Sequence, residues 1–200
     1  MQTSVQSHAL RIGDAAPNAT LATADGKTVE LASFWMDTPN GALVVFLRNF
    51  GCLFCREQAK RLRDAYPELT KRRINVVAVG VGTPSNAAEF ATWLKLPFPV
   101  FGCPDTSIHA AWGLGRATAG SMLDPGLVAA GARALLGGNI QSKPTGDSRQ
   151  LPGMFIVDQQ GSVRWARPGR HSGDNPTNEE LLEAIDAVLT GTIEPGVADS

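Results

Sequence analysis

The sequence predicts an α/β fold with a mixed central sheet flanked by helices, and three observations carry that prediction. Two apolar runs, residues 42–47 and 74–81, bracket a stretch with helical spacing. A strand, a helix and a strand of that length make a parallel unit with a right-handed crossover. Further on, the apolar runs 154–158 and 162–166 are joined by Gln159-Gln160-Gly161, which reads as a hairpin and adds antiparallel strands.

The totals are compatible with this. A chain of 200 residues with 43% hydrophobic content can bury a sizeable core and suits one domain. A net charge of −1 gives no reason to expect nucleic acid or an anionic membrane as partner. No run is apolar for long enough to span a bilayer. The first eight residues lack the basic start and apolar stretch of a secretion signal. Three cysteines do not make an extracellular disulfide framework, so the expectation is a cytoplasmic protein whose one disulfide is transient.

Taken in order, residues 1–12 form a flexible arm and residues 13–190 the single domain. Residues 19–23 and 27–31 read as an N-terminal β-hairpin turned at Asp25-Gly26. Ser33 opens a brief helical turn before the buried strand at 42–48. The next helix runs from Leu53 to about residue 72, with Ala59, Leu62, Tyr66 and Leu69 on its apolar face and Pro67 expected to kink or split it. The second buried strand, 74–81, follows. Ser85 is the expected cap of a helix to Leu94, and residues 98–101 form a short strand whose prolines place it near an edge. A helix from Asp105 to Trp112 leads into a glycine-punctuated loop.

Residues 121–138 read as a helical insertion. Asp124 caps it, Pro125 takes its first turn and Gly137-Gly138 ends it. Leu127, Val128, Leu135 and Leu136 give it an apolar side suited to packing or to a homodimer contact. Residues 139–150 are polar and turn-rich, and are expected to be mobile. After the hairpin, Thr177 with Glu180 is a capping box opening the closing helix, and residues 191–200 are a disordered tail.

The chemistry sits at the joint between the first buried strand and its helix, where the chain reads Phe50-Gly51-Cys52-Leu53-Phe54-Cys55-Arg56-Glu57. Unpaired N–H groups in a helix's first turn carry partial positive charge and favour a thiolate over a thiol. A second thiol three positions away can attack a mixed disulfide and release the product. Arg48, at the end of the strand, and Arg56, next to Cys55, are candidate thiolate-supporting cations. The less specific alternatives are two small buried residues or half of a zinc site. Zinc would need Cys103 and His109 as further ligands, and these lack a compact paired spacing. Cys103, beyond the third parallel strand, reads as a bystander roughly 10 Å to the side, and His109 as a surface residue.

Four stretches in this order resemble the thioredoxin fold, and more closely the peroxiredoxin-like branch of the AhpC/TSA superfamily. They are residues 12–17, residues 46–57, residues 151–158 and residues 167–176. The resemblance implies a thioredoxin-like fold. It also implies that Pro152 forms a cis bond facing the CxxC, where it supports the thiolate. Peroxiredoxins carry Thr-x-x-Cys at this place, which makes Cys55 the match for their peroxide-attacking residue; the thioredoxin pattern nominates Cys52 instead. The branch is also similar to the prostamide/prostaglandin F synthases, which reduce a cyclic endoperoxide with a CxxC.

The expected function is a CxxC dithiol/disulfide cycle reducing a peroxide, endoperoxide or disulfide, with Cys52 and Cys55 catalytic, no bound cofactor or metal, and thioredoxin or another dithiol as reductant. The alternative is a non-catalytic thioredoxin-fold interaction module. The resemblance puts Pro152 at the CxxC end of the sheet, and the hairpin's chain direction then brings Arg167, Arg170 and His171, in the loop at 167–176, back to that end. Arg170 and His171 are therefore candidates for a basic substrate rim, against the plainer reading of a connector in which Asp174 pairs Arg170.

Overall fold

The computed structural model describes residues 10–118 and 125–192. The flexible arm expected at 1–12, the cap at Asp124 and the tail at 191–200 therefore lie wholly or mostly outside the described residues. A five-stranded mixed sheet has the order β5-β4-β3-β6-β7. In chain order, β3 is Ala42–Asn49, β4 Asn75–Val81, β5 Val100–Cys103, β6 Gly153–Val157 and β7 Val163–Pro168. β3, β4 and β5 are parallel, while β6 pairs antiparallel with β3 and β7 antiparallel with β6. β1 (Thr20–Ala22) and β2 (Thr28–Glu30) form the expected N-terminal hairpin.

Alternation along β3 divides the core into two layers, because successive side chains leave opposite faces of a sheet. Leu43, Val45 and Leu47 point to one layer, with Met154 and Ile156 of β6. Covering it are α2 (Leu53–Lys71), α3 (Pro84–Leu94), α5 (Pro125–Leu136) and α6 (Asn178–Leu189). Ala42, Val44 and Phe46 point to the other layer, with the β1–β2 hairpin, α1 (Ser33–Met36) and α4 (Ser107–Ala111). The Phe46, Trp112 and Phe155 rings meet there at centroid separations of 5.0 to 5.9 Å.

Several elements differ from expectation for identifiable reasons. α2 is continuous through Pro67. Pro67 is exposed, so the carbonyl it leaves without a helical donor lies on the solvent side, where water can satisfy it. The α3 cap is Thr83 rather than Ser85: Thr83 accepts from the Asn86 N–H, Asn86 answers on the Thr83 N–H, and Pro84 takes the first turn. α5 buries Ala130 and Ala134, while Val128, Leu135 and Leu136 face outward. The small alanines let α5 lie close to α2, and Arg133 reaches Glu57 of α2 at 2.8 Å. The closing helix α6 has the expected capping box between Thr177 and Glu180.

Candidate active site

β3 runs three residues past its last pairing with β6, Phe46 opposite Gly153, and so carries Leu47, Arg48 and Asn49 to the sheet edge. There the chain turns tightly: Asn49 Oδ1 accepts from the Gly51 N–H at 3.1 Å, and Cys52 becomes the N-cap of α2. Cys55 sits in the first turn of that helix. Both cysteines are buried, at 1% and 2% exposure, and both are free thiols.

The two thiols are driven in opposite directions. A hydrogen bond from the Cys55 thiol is the largest influence on Cys52; burial opposes it, the Arg48 charge assists, and Cys52 is lowered to about 6. The Cys52 Sγ makes no geometric capping bond, yet the N–H groups of Phe54 and Cys55 still favour its charged form. Burial, together with the bond and charge of Cys52, pushes Cys55 well above the ordinary thiol value. These directions favour Cys52 as the more readily ionised thiol and Cys55 as the one that keeps its proton.

Arg48 lies against the thiols. Its Nη1 donates to Cys52 Sγ at 3.2 Å and its Nε to the Gln150 carbonyl at 2.8 Å; the Ser148 carbonyl also accepts from it. Its backbone N–H donates to Cys55 Sγ at 3.3 Å. Arg56 does not reach the thiols. The helix turns it away, and it donates to the Ile140 carbonyl and Ser142 Oγ, each at 2.6 Å, while stacking on Trp93.

Residues 139–150, expected to be a mobile connector, lie as a strap across the CxxC turn. Ser142 N–H donates to the Gly51 carbonyl at 2.9 Å, Gln141 Oε1 accepts from the Leu53 N–H at 3.2 Å, and Thr145 Oγ1 accepts from the Phe50 N–H at 3.1 Å. The strap passes so close that a Cβ at Gly51 would collide with the Lys143 carbonyl. A cleft of about 270 Å³ opens beside it, lined by Phe50, Gly51, Arg56, Trp93, Lys143 and Thr145; neither cysteine lines it.

Pro152 stands at the CxxC end of β6, as expected, since β6 starts at Gly153 opposite Phe46. The expected cis bond is a correction: Leu151–Pro152 is trans, as are all peptide bonds among the described residues. Trans is the ordinary preference before proline, and here the Leu151 N–H is already satisfied by the Gly115 carbonyl.

The loop after β7 returns to this end, with Pro168 opposite Gly153. Gly173 lies where any Cβ would press on Phe54 of α2 and Ala130 of α5. Asp174 pairs both Arg167 at 3.2 Å and Arg170 at 2.9 Å. Burial works against its charge, but the Arg170 bonds and both guanidinium charges hold its carboxyl below its usual range. Arg170 keeps 74% of its side chain exposed, whereas His171 is buried, with Nδ1 accepting from the Gly173 N–H. His171 is a brace inside the loop rather than part of a rim.

Cys103 and His109 lie in the other core layer, across the sheet from the CxxC. Burial raises Cys103 to about 11, and β4 separates its strand from β3. His109 is fully buried, not a surface residue. Among the described residues no three His, Cys, Asp or Glu side chains are grouped to hold a metal.

The AhpC/TSA family model matches residues 12–166, and the chain belongs to that family. At family level it is a peroxiredoxin-like oxidoreductase with a thioredoxin-like fold. It is 30% identical over 183 residues to the prostamide/prostaglandin F synthase of Salmo salar, covering 88% of each chain. Among solved structures, a peroxidoxin of Mycobacterium tuberculosis superposes with a TM-score of 0.65 at 16% identity, covering 92% of this chain and 98% of that one. A reduced peroxiredoxin of Vibrio vulnificus in complex with hydrogen peroxide superposes at 0.64 and 15% identity, covering 88% and 99%.

Proposed function

We propose that the protein reduces a hydroperoxide, endoperoxide or disulfide through a Cys52–Cys55 dithiol/disulfide cycle. The observation that carries this reading is the Arg48 guanidinium 3.2 Å from Cys52 Sγ, at a helix start where Cys55 holds the proton. With a hydroperoxide, the Cys52 thiolate attacks the terminal oxygen of the O–O bond. The bond breaks, the second oxygen leaves as an alkoxide or hydroxide that takes up a proton, and Cys52 becomes a sulfenic acid. The Cys55 sulfur then attacks the Cys52 sulfur, releasing water and forming the disulfide. An endoperoxide would give a sulfenate ester in place of the sulfenic acid and release an alcohol in place of water. An external dithiol of the thioredoxin type returns two electrons by thiol–disulfide exchange. No step requires a bound cofactor.

Arg170 fits as an exposed cation at the rim, favouring anionic substrates. A cytoplasmic setting belongs to the same reading, since a dithiol reductant must be at hand. The relative from Salmo salar, a prostamide/prostaglandin F synthase, makes a cyclic endoperoxide worth including among the substrates. The test is turnover of hydrogen peroxide, an organic hydroperoxide, a cyclic endoperoxide and a low-molecular-weight disulfide with thioredoxin as electron donor. The reading predicts turnover of at least one O–O or S–S substrate, abolished by Cys52→Ser. No turnover of any of them would favour the interaction module.

A further inference from the structure

Arg48 has no partner residue in either neighbouring strand: the register with β4 passes from Leu47 opposite Gly80 to Asn49 opposite Val81, and pairing with β6 stops at Phe46. The peptide unit joining Leu47 to Arg48 is used from both ends. On one side of the sheet its carbonyl, Leu47 O, lies 3.0 Å from His109 Nε2. On the other its N–H, that of Arg48, donates to Cys55 Sγ at 3.3 Å. A carbonyl only accepts, so the ring proton of His109 is on Nε2, leaving Nδ1 as a buried acceptor with no hydrogen-bond partner among the described residues.

We propose that His109 is a positioning residue for the thiolate, acting through the sheet by a one-directional chain of donors. His109 Nε2–H donates to Leu47 C=O, and the same peptide's Arg48 N–H donates to Cys55 Sγ. The last link is inferred: the Cys55 thiol proton is the largest influence favouring the Cys52 thiolate. Each donor is strengthened by the bond it accepts, because hydrogen bonds in a chain polarise one another in a low-dielectric interior. A hydrogen bond made in the layer that holds no reactive thiol thereby stabilises negative charge on Cys52. The chain needs a proton on Nε2, which the neutral ring supplies as the tautomer that the Leu47 carbonyl selects. Burial keeps the ring neutral, depressing the His109 pKa to about 4 against the opposing pull of the Leu47 carbonyl and Asp105. The charged and titratable groups acting on the thiol pair are Arg48 and the two cysteines themselves. Asp105 acts on His109 from the residues before α4, and the Phe46 ring packs 5.0 Å from the imidazole.

This inference rests on Cys52 as the attacking thiolate. The test is the pH dependence of Cys52 alkylation by iodoacetamide, read peptide by peptide in a mass spectrometer, for wild type, His109→Phe and His109→Gln. Phenylalanine fills the ring's volume without a donor; glutamine restores an N–H near Nε2. His109→Phe is expected to raise the Cys52 midpoint by about 0.5 pH unit, a threefold lower thiolate fraction on the acid side, and His109→Gln to return it. In a Cys55→Ala background the chain is cut, and His109→Phe should then change nothing. A depressed wild-type midpoint that His109→Phe leaves in place, or an equal shift with and without Cys55, overturns the relay alone. A wild-type midpoint at the ordinary thiol value overturns the proposed function, and the relay with it. If His109→Phe does not fold, ring nitrogen NMR of the wild type decides: an Nε2–H tautomer whose shift moves when Cys52 is alkylated supports the relay, and an Nδ1–H tautomer or an unmoved shift contradicts it.

Discussion

Cys52 and Cys55 are the same residue type three positions apart, and only their neighbours separate them. Cys52 has the Arg48 guanidinium and a donated thiol hydrogen; Cys55 has burial and an adjacent negative sulfur. Replacing Arg48 by methionine, which keeps the stem and removes the charge, should raise the alkylation midpoint of Cys52 from about 6 by about one pH unit, tenfold in thiolate fraction on the acid side. The CxxC and Arg48 were legible in the sequence because strand, turn and helix start are local signals. Arg56 was misassigned because adjacency along a helix is not adjacency in space: one step turns the side chain by about 100°. His109 was illegible as a participant. Its burial and its carbonyl partner 62 positions earlier depend on how α4 meets β3, and no local pattern encodes that.

Among the elements, the strap at 139–150 lies across the turn that carries the thiols. Its composition reads as a free loop, but its partners lie some 80 to 100 positions earlier in Arg48, Gly51, Leu53 and Arg56. Long-range pairing of this kind leaves no periodic trace. Because Arg56 holds two of the strap's groups and touches neither thiol, Arg56→Ala should loosen the cover without altering Cys52 acidity. The expected result is several-fold faster labelling of Cys52 by a bulky maleimide with an unchanged pH midpoint; equal labelling rates would mean the strap is no barrier. Helix boundaries show a related limit. Ser85 and Thr83 are both plausible caps, and the reciprocal bonds of Thr83 and Asn86 with Pro84 at the first turn select the latter.

For the whole molecule, the sheet is a partition. The continuous apolar run of β3 was readable from sequence and fits a sheet covered on both faces, but which helices cover which face was not, and so Cys103 was placed only by edge and His109 at a helix surface. The partition predicts that Cys103→Ser leaves disulfide formation by the CxxC unchanged, as mass mapping of the oxidised variant would show. It also predicts an acid-sensitive core. His109 is depressed from 6.5 to about 4 by burial, so the unfolded chain binds the extra proton first as pH falls. The neutral imidazole's contribution is intact above pH 6.5 and is lost progressively toward pH 4, amounting to about 3 kcal/mol at full titration. Urea unfolding between those pH values should show that slope in wild type and a shallower one in His109→Gln.

In the proposed cycle Cys52 attacks and Cys55 resolves, and this division of roles can be tested. Its most direct test is to treat the reduced protein and its two single Cys→Ser variants with one equivalent of hydrogen peroxide, trap sulfenic acid with dimedone, and map every sulfur by mass spectrometry. The expected products are a Cys52–Cys55 disulfide in wild type, a dimedone adduct on Cys52 in Cys55→Ser, and no oxidised sulfur in Cys52→Ser. A dimedone adduct on Cys55 in Cys52→Ser, with Cys52 unmodified in Cys55→Ser, would contradict it.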